Sequence, residues 1–129
     1  MNITEVKNWL KEFVNVPVTV GTIDGNKEMC VGVFADQVSG NQRICLGGLE
    51  QTKYAQKNIT VLVHWNTNYK ESEAKAQEVY NLFYGNSQFK MGDTMIYSCD
   101  PGASLIPVGK DKGGVYEFVI KIKLLHERR

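Results

Sequence analysis

The stretch VYEFVIKIKL at residues 115–124 restricts the fold more than any other segment, because every second position from Tyr116 onward is apolar. Successive side chains of a strand point to opposite faces of a sheet, so a period of two predicts a β-strand with one covered face. The second face is expected to meet solvent or a partner protein. The covered face would hold Tyr116, Phe118, Ile120, Ile122 and Leu124, and the second face Glu117, Lys121 and Lys123.

The six residues GKDKGG just before this strand combine two lysines with three glycines, which raises the question of a phosphate site. A phosphate loop has the pattern GxxxxGK[ST] and leads into a helix, whose amino terminus binds the phosphate. Here a strand follows, so the segment is predicted to be a hairpin turn in which Gly113 or Gly114 takes a positive φ. Its tip, formed by Lys110, Asp111 and Lys112, is a candidate contact site, since connecting loops often carry function.

Two amphipathic helices are predicted from apolar residues at helical spacing. The first would be capped by Thr4 and stopped by Pro17. The second would begin after Asn68, with Glu71 completing a capping box, and end at Gly85. The predicted core faces are Val6, Trp9, Leu10 and Phe13 in the first helix and Tyr69, Ala76, Val79, Tyr80 and Phe83 in the second.

Strands account for most of the remaining chain. The Asp24-Gly25 pair between two β-branched runs predicts a hairpin, and the run ITVLVHW predicts a central strand covered on both faces. Pro107 places its strand at a sheet edge or a strand end. For residues 49–58 the sequence does not distinguish a loop from a short helical turn. The strands predicted before the last one are 18–23, 28–35, 43–48, 59–65, 94–99 and 104–108.

This order predicts one α+β domain over residues 1–129, with two helices packed on a mixed, mainly antiparallel sheet. Fifteen basic residues face fourteen acidic ones, which argues against specific nucleic-acid binding through bulk positive charge. No apolar run approaches the roughly 20 residues that a membrane span needs, and the amino terminus does not resemble a secretory signal. Cys30, Cys45 and Cys99 are odd in number and widely spaced, as is typical of reduced thiols in a cytoplasmic protein.

Enzyme chemistry finds little support in the residue spacing. Cys99, His64 and Asp100 could be combined into a nucleophilic arrangement, but sequence supplies no geometry for it. His64 lies inside an apolar run and is typical of a hydrogen-bonded core residue. No HxxxH or HExxH spacing links it to His126, so a zinc site is not expected.

The order of elements and the closing segment resemble the tail-terminator group of bacteriophage minor capsid and tail-completion proteins of long-tailed phages. The resemblance covers residues 3–124. It rests on the buried strand VLVHW, the helix opening NTNYKESEAKAQEVYNLFYG, and the closing PVGKDKGGVYEFVIKIKL. In this last piece a proline is followed by G-x-D-x-x-G and then by an alternating Y-E-F-x-I-x-I strand.

The resemblance implies a structural protein without enzymatic activity or cofactor. Members form a ring, commonly of six subunits, at the head-proximal end of the tail, which halts tail-tube growth and meets the head connector. The implied partners are copies of the chain, the major tail protein and the connector or neck proteins. Such proteins are made in the host cytoplasm and end in the virion, at the head–tail junction.

Charge and exposure suggest where such contacts would lie. Tyr84 stands off the apolar stripe of its helix, and with Leu82 it would form an interface patch if both are exposed. Two alternatives stay open: a small cytoplasmic ligand-binding or regulatory α+β module, and an enzyme built on Cys99 or His64. The candidate interface residues are Lys110, Asp111, Lys112, Glu117, Lys121, Lys123 and Tyr84.

Overall fold

The computed structural model describes residues 1–23, 28–36 and 54–128, which form two helices and one seven-stranded mixed sheet. This confirms the predicted α+β class. No helix in the described ranges is long and apolar enough to cross a membrane. The elements are α1 (Ile3–Val14), β1 (Val18–Val20), β2 (Cys30–Ala35), β3 (Tyr54–His64), α2 (Tyr69–Phe83), β4 (Ser87–Met91), β5 (Thr94–Asp100), β6 (Ile106–Lys110) and β7 (Tyr116–Glu127).

The alternating strand predicted at the carboxyl terminus is the central organiser of the sheet. Strand order is β1-β2-β3-β7-β5-β4, and β6 also pairs with β7. Eleven of the twelve residues of β7 pair with β3 along one side. On its other side, β7 pairs first with β6 near Tyr116 and then with β5 near Leu124. One strand therefore joins the hairpin turn to the far end of the sheet.

The predicted hairpin around Asp24-Gly25 is wrong in its pairing, because β1 and β2 are parallel. An Asp-Gly turn imposes antiparallel pairing only when both strands continue into it. Here β1 ends at Val20, and Gly21 takes a φ of 75° while its N–H donates to the Val33 carbonyl. The turn residues 24–27 and the predicted strand 43–48 lie outside the described residues.

Both helices pack on one face of the sheet, and their caps explain where they begin. The N-cap of α1 is Asn2 rather than the predicted Thr4, because the Asn2 side chain accepts the Glu5 N–H at 3.1 Å. The predicted cap at Asn68 is confirmed by its contact with the Glu71 N–H, also at 3.1 Å. Both caps satisfy amide groups that a helix start leaves unpaired.

Two aromatic residues predicted for the core faces are about half exposed. Phe13 is 50% exposed because Val14, four residues after Leu10, takes the buried position at the end of α1. Tyr69 is 44% exposed because it is the first residue of α2 and contacts the sheet at the start of β7, at Tyr116. The other predicted core-face residues of both helices are buried.

The predicted position of the central strand β3 is confirmed, but its predicted burial on both faces is wrong. Ile59, Val61 and Val63 are buried beneath the helices, whereas Thr60 and Leu62 on the opposite face are half-buried. The strand also extends back to Tyr54, so part of the segment left open between loop and helical turn is strand. The short β4 was not predicted, because its sequence SQFKM is largely polar and has no clear alternation.

Candidate interaction surface

The GKDKGG segment is the predicted hairpin turn between β6 and β7, which pair antiparallel. Asp111 organises it: its Oδ1 atom accepts the N–H groups of Gly113 at 2.8 Å and Val115 at 3.0 Å. The Asp111 N–H in turn donates to the Val115 carbonyl at 2.9 Å. Of the two glycines predicted to take a positive φ, it is Gly114 that does so, with φ of 81°. The turn is therefore held by hydrogen bonds at several points.

The charges of this tip point in different directions. Lys110 and Lys112 are exposed, and the Lys110 ammonium lies 5.2 Å from the centre of the Tyr116 ring, within cation–π range. The Asp111 side chain is only 22% exposed, and its Oδ2 atom faces His64. The tip consequently presents two ammonium groups outward and turns its carboxylate toward the sheet.

His64 lies beneath this tip on the sheet face that the helices leave uncovered, and it is only 1% exposed. Its Nδ1 atom lies 3.0 Å from Glu117 Oε2, directly across the strand pair, and its Nε2 atom lies 3.6 Å from Asp111 Oδ2. The prediction of a buried, hydrogen-bonded histidine is confirmed. Its contact with Asp111 could not be predicted, because no sequence pattern links a strand residue to a distant turn.

The two carboxylates do not form a metal site with His64. They face different nitrogens of one imidazole ring, so a single ion could not contact both carboxylates and one ring nitrogen. Across the described residues there is no group of three or more His, Cys, Asp and Glu side chains that could hold a metal ion.

Among the charges predicted for the outer face of β7, Glu117 is 17% exposed and engaged with His64, which leaves Lys121 and Lys123. The Lys121 ammonium lies 3.2 Å from Thr60 Oγ1 and 3.8 Å from Asp36 Oδ2, and the Thr60 hydroxyl donates to the same Asp36 oxygen. Lys121 is 62% exposed, so this ion pair contributes less than about 1 kcal/mol. Lys123 is also exposed and pairs in register with Asp100.

A recess of about 290 Å³ adjoins these lysines. Charged side chains occur on both sides of it, and the Asp36–Lys121 ion pair lies among its lining residues. A small-molecule site is typically an apolar cleft with a few converging polar groups. The recess combines Ile59 and Ile122 with charged side chains, so its lining does not decide between a contact surface and a small-ligand module.

Tyr84 forms a second exposed feature at the other end of α2. It is 66% exposed and stacks on Tyr80 with ring centres 5.8 Å apart, whereas Leu82 is half-buried against the core. Tyr69 at the start of α2 contacts Tyr116 beside the hairpin tip. A helix of 15 residues spans about 22 Å, so Tyr84 lies about one helix length from the Tyr69 end of α2, which adjoins the tip.

The residues of the enzyme alternative are not brought together. Cys99 pairs with Leu124 near the end of β7, whereas His64 pairs with Glu117 near its beginning. Seven residues along a strand correspond to about 23 Å. Asp100 is engaged in a turn, where its Oδ1 atom accepts the Gly102 N–H at 2.9 Å. These positions give Cys99 neither a base nor an orienting carboxylate from that set.

Thiol labelling is expected to be slow at Cys99. Burial raises the pKa of its thiol to about 12, so the reactive thiolate is scarce near neutral pH. Mass spectrometry of iodoacetamide-treated protein should show Cys99 unmodified in the native state and fully modified after denaturation. Equal labelling rates in the two states would contradict the buried position and reopen the enzyme alternative.

A model of the family described as bacteriophage tail terminator protein matches residues 9–128. None of the curated proteins matches the chain significantly. A chain from the virion of a native gene transfer agent particle shares the fold, with a TM-score of 0.58 and 13% identity over 92% of this chain and 84% of that one. A second solved chain, 14% identical over 98% of this chain and 89% of its own, reaches a TM-score of 0.49.

Proposed function

The chain belongs to the bacteriophage tail terminator protein family and is a phage tail structural protein, and we propose that it caps the tail tube. In this proposal copies of the chain form a ring, commonly of six, at the head-proximal end of the tail. The ring stops tube growth and joins the tail to the head connector. The observation that carries the proposal is the family match over residues 9–128, which spans both sheet edges, all of α2 and the second half of α1.

The proposed protein works by contact alone and needs no cofactor. Its partners are copies of itself, the major tail protein and the head–tail connector, and its place is the head–tail junction of a virion assembled in the host cytoplasm. A head-to-tail ring needs two different complementary patches on each subunit. The separation of the hairpin tip from Tyr84 supports such a use.

We assign different contacts to these two features. The tip presents Lys110 and Lys112 on a turn fixed by hydrogen bonds, which suits an acidic surface on the tube or the connector. Tyr84 is a ring already oriented by stacking on Tyr80, and tyrosine is enriched in protein interfaces. We therefore place Tyr84 against the neighbouring subunit of the ring.

The experiment is a capping assay with purified protein and tail tubes assembled from the major tail protein. Adding the chain during assembly is expected to shorten the tubes and to leave one end of each tube decorated. Mass photometry should detect a species about six times the 14.5 kDa chain, in solution or after release from tubes. Tubes of unchanged length together with a monomer at high protein concentration would contradict the proposal.

A further inference from the structure

His64 occupies an unusual position for a titratable side chain. It stands on the sheet face opposite the helices, yet it is almost completely buried, and Asp111 of the hairpin turn faces it. The groups that face it come from each neighbouring element: Glu117 from β7, Asp111 from the turn, and the thiol of Cys30, which is its partner residue on β2. Lys110, which is next to Asp111 in the chain, lies instead over the ring of Tyr116.

The geometry distinguishes the two protonation states of this ring. A neutral imidazole carries one N–H, and the contact with Glu117 at 3.0 Å takes it at Nδ1. Nε2 would then direct a lone pair at the Asp111 carboxylate 3.6 Å away, with no hydrogen-bond partner for this buried atom. The doubly protonated ring presents an N–H to each carboxylate and offsets one of their two charges. In a site shielded from water such an interaction is stronger than at the surface.

We propose that protonated His64 is a latch that fixes the hairpin turn to the sheet, and that loss of its proton releases the turn. The link is Asp111, whose two carboxylate oxygens have different tasks. Oδ2 faces the histidine, while Oδ1 accepts the N–H groups of Gly113 and Val115 and so shapes the turn. Release would allow the Asp111 charge to turn outward beside Lys110 and Lys112, and the tip would lose both its order and its positive character.

Amide exchange of the isolated protein tests the latch without any phage partner. Protection of the Gly113 and Val115 amides, corrected for intrinsic exchange, would be measured by NMR at about pH 5.5 and about pH 8.5, a range that includes the ordinary pKa of a free imidazole. We expect roughly tenfold stronger protection at the lower pH, because loss of the proton at the higher pH removes one charge-assisted contact from the turn. Equal protection at both pH values would overturn the latch.

The variant Asp111→Asn provides the sharper comparison. It retains the Oδ1 acceptor that shapes the turn, but it places an amide N–H donor opposite Nε2. That donor suits neutral His64 and opposes the protonated ring, so the pH dependence should reverse, with stronger protection at high pH. A variant that keeps the wild-type dependence would contradict the assigned role of Asp111.

The second histidine supplies the control. His126 is buried near the end of β7, and this burial lowers the pKa of its imidazole. The variant His126→Gln should keep the full pH dependence of the Gly113 and Val115 amides, and its remaining histidine ring signal should titrate together with them. Loss of the dependence in this variant would assign the effect to His126 and overturn the proposal. None of these outcomes depends on ring formation, so the latch and the capping function fail or succeed separately.

Discussion

Replacing Phe83 with alanine is expected to lower the free energy of unfolding by about 3–5 kcal/mol. Phe83 is fully buried at the end of α2, and its ring centre lies 5.2 Å from that of Trp9 in α1. Truncation therefore removes a side chain through which the two helices contact each other and leaves a cavity in the core. Urea denaturation followed by circular dichroism would measure the change.

The matched control is Phe13→Ala. Phe13 contacts the same Trp9 ring, with centres 4.9 Å apart, but it is half exposed. Its truncation removes less buried apolar area and opens no enclosed cavity, so the free energy of unfolding should fall by about 1 kcal/mol or less. Similar losses in the two variants would contradict the arrangement in which α1 and α2 share one core beneath the sheet.

Reversing the charge of the hairpin tip, with Lys110→Glu and Lys112→Glu together, is expected to weaken binding to tail tubes or connectors by about tenfold or more. The reason is that the wild-type tip presents two ammonium groups while its own carboxylate faces His64. Binding of the wild-type protein should also weaken as salt is raised, because exposed charges are screened. Co-sedimentation with purified tubes and connectors measures both effects.

Lys90→Glu is the matched control for this reversal. Lys90 is an exposed lysine on β4. This strand forms the sheet edge opposite β1 and is not part of the tip. This variant should bind as the wild type does, while thermal unfolding verifies that all variants are folded. If Lys90→Glu weakens binding as much as the tip reversal does, net charge rather than the tip governs the contact.

The local patterns of the sequence predicted much of the fold, because each depends on neighbouring residues. The alternation of 115–124 indicated a strand with one covered face, and β7 buries Phe118, Ile120, Ile122 and Leu124 accordingly. The predicted N-cap at Asn68 located the start of α2, although the Glu71 side chain accepts from the Asn66 side chain and not from the Asn68 N–H of a capping box. The family resemblance was confirmed by the match over residues 9–128. The individual interface residues remain predictions.

Features that depend on distant pairs were not predictable from local patterns. The Asp-Gly signal indicated a hairpin, but the early end of β1 at Val20 and the backbone turn at Gly21 permit parallel pairing instead. Asp111 and Glu117 appeared as free interface charges, whereas both face His64, a residue far earlier in the chain. Only strand register and turn geometry reveal that kind of contact.

Tail length in the absence of this chain tests the central claim most directly. A stop codon early in its gene, in the phage that encodes it, would be followed by induction and electron microscopy of the lysate. Capping of the tail tube predicts overlong or free tails beside filled, tailless heads, with normal virions restored by a wild-type copy supplied in trans. Tails of normal length attached to heads in the mutant lysate would contradict the proposed function.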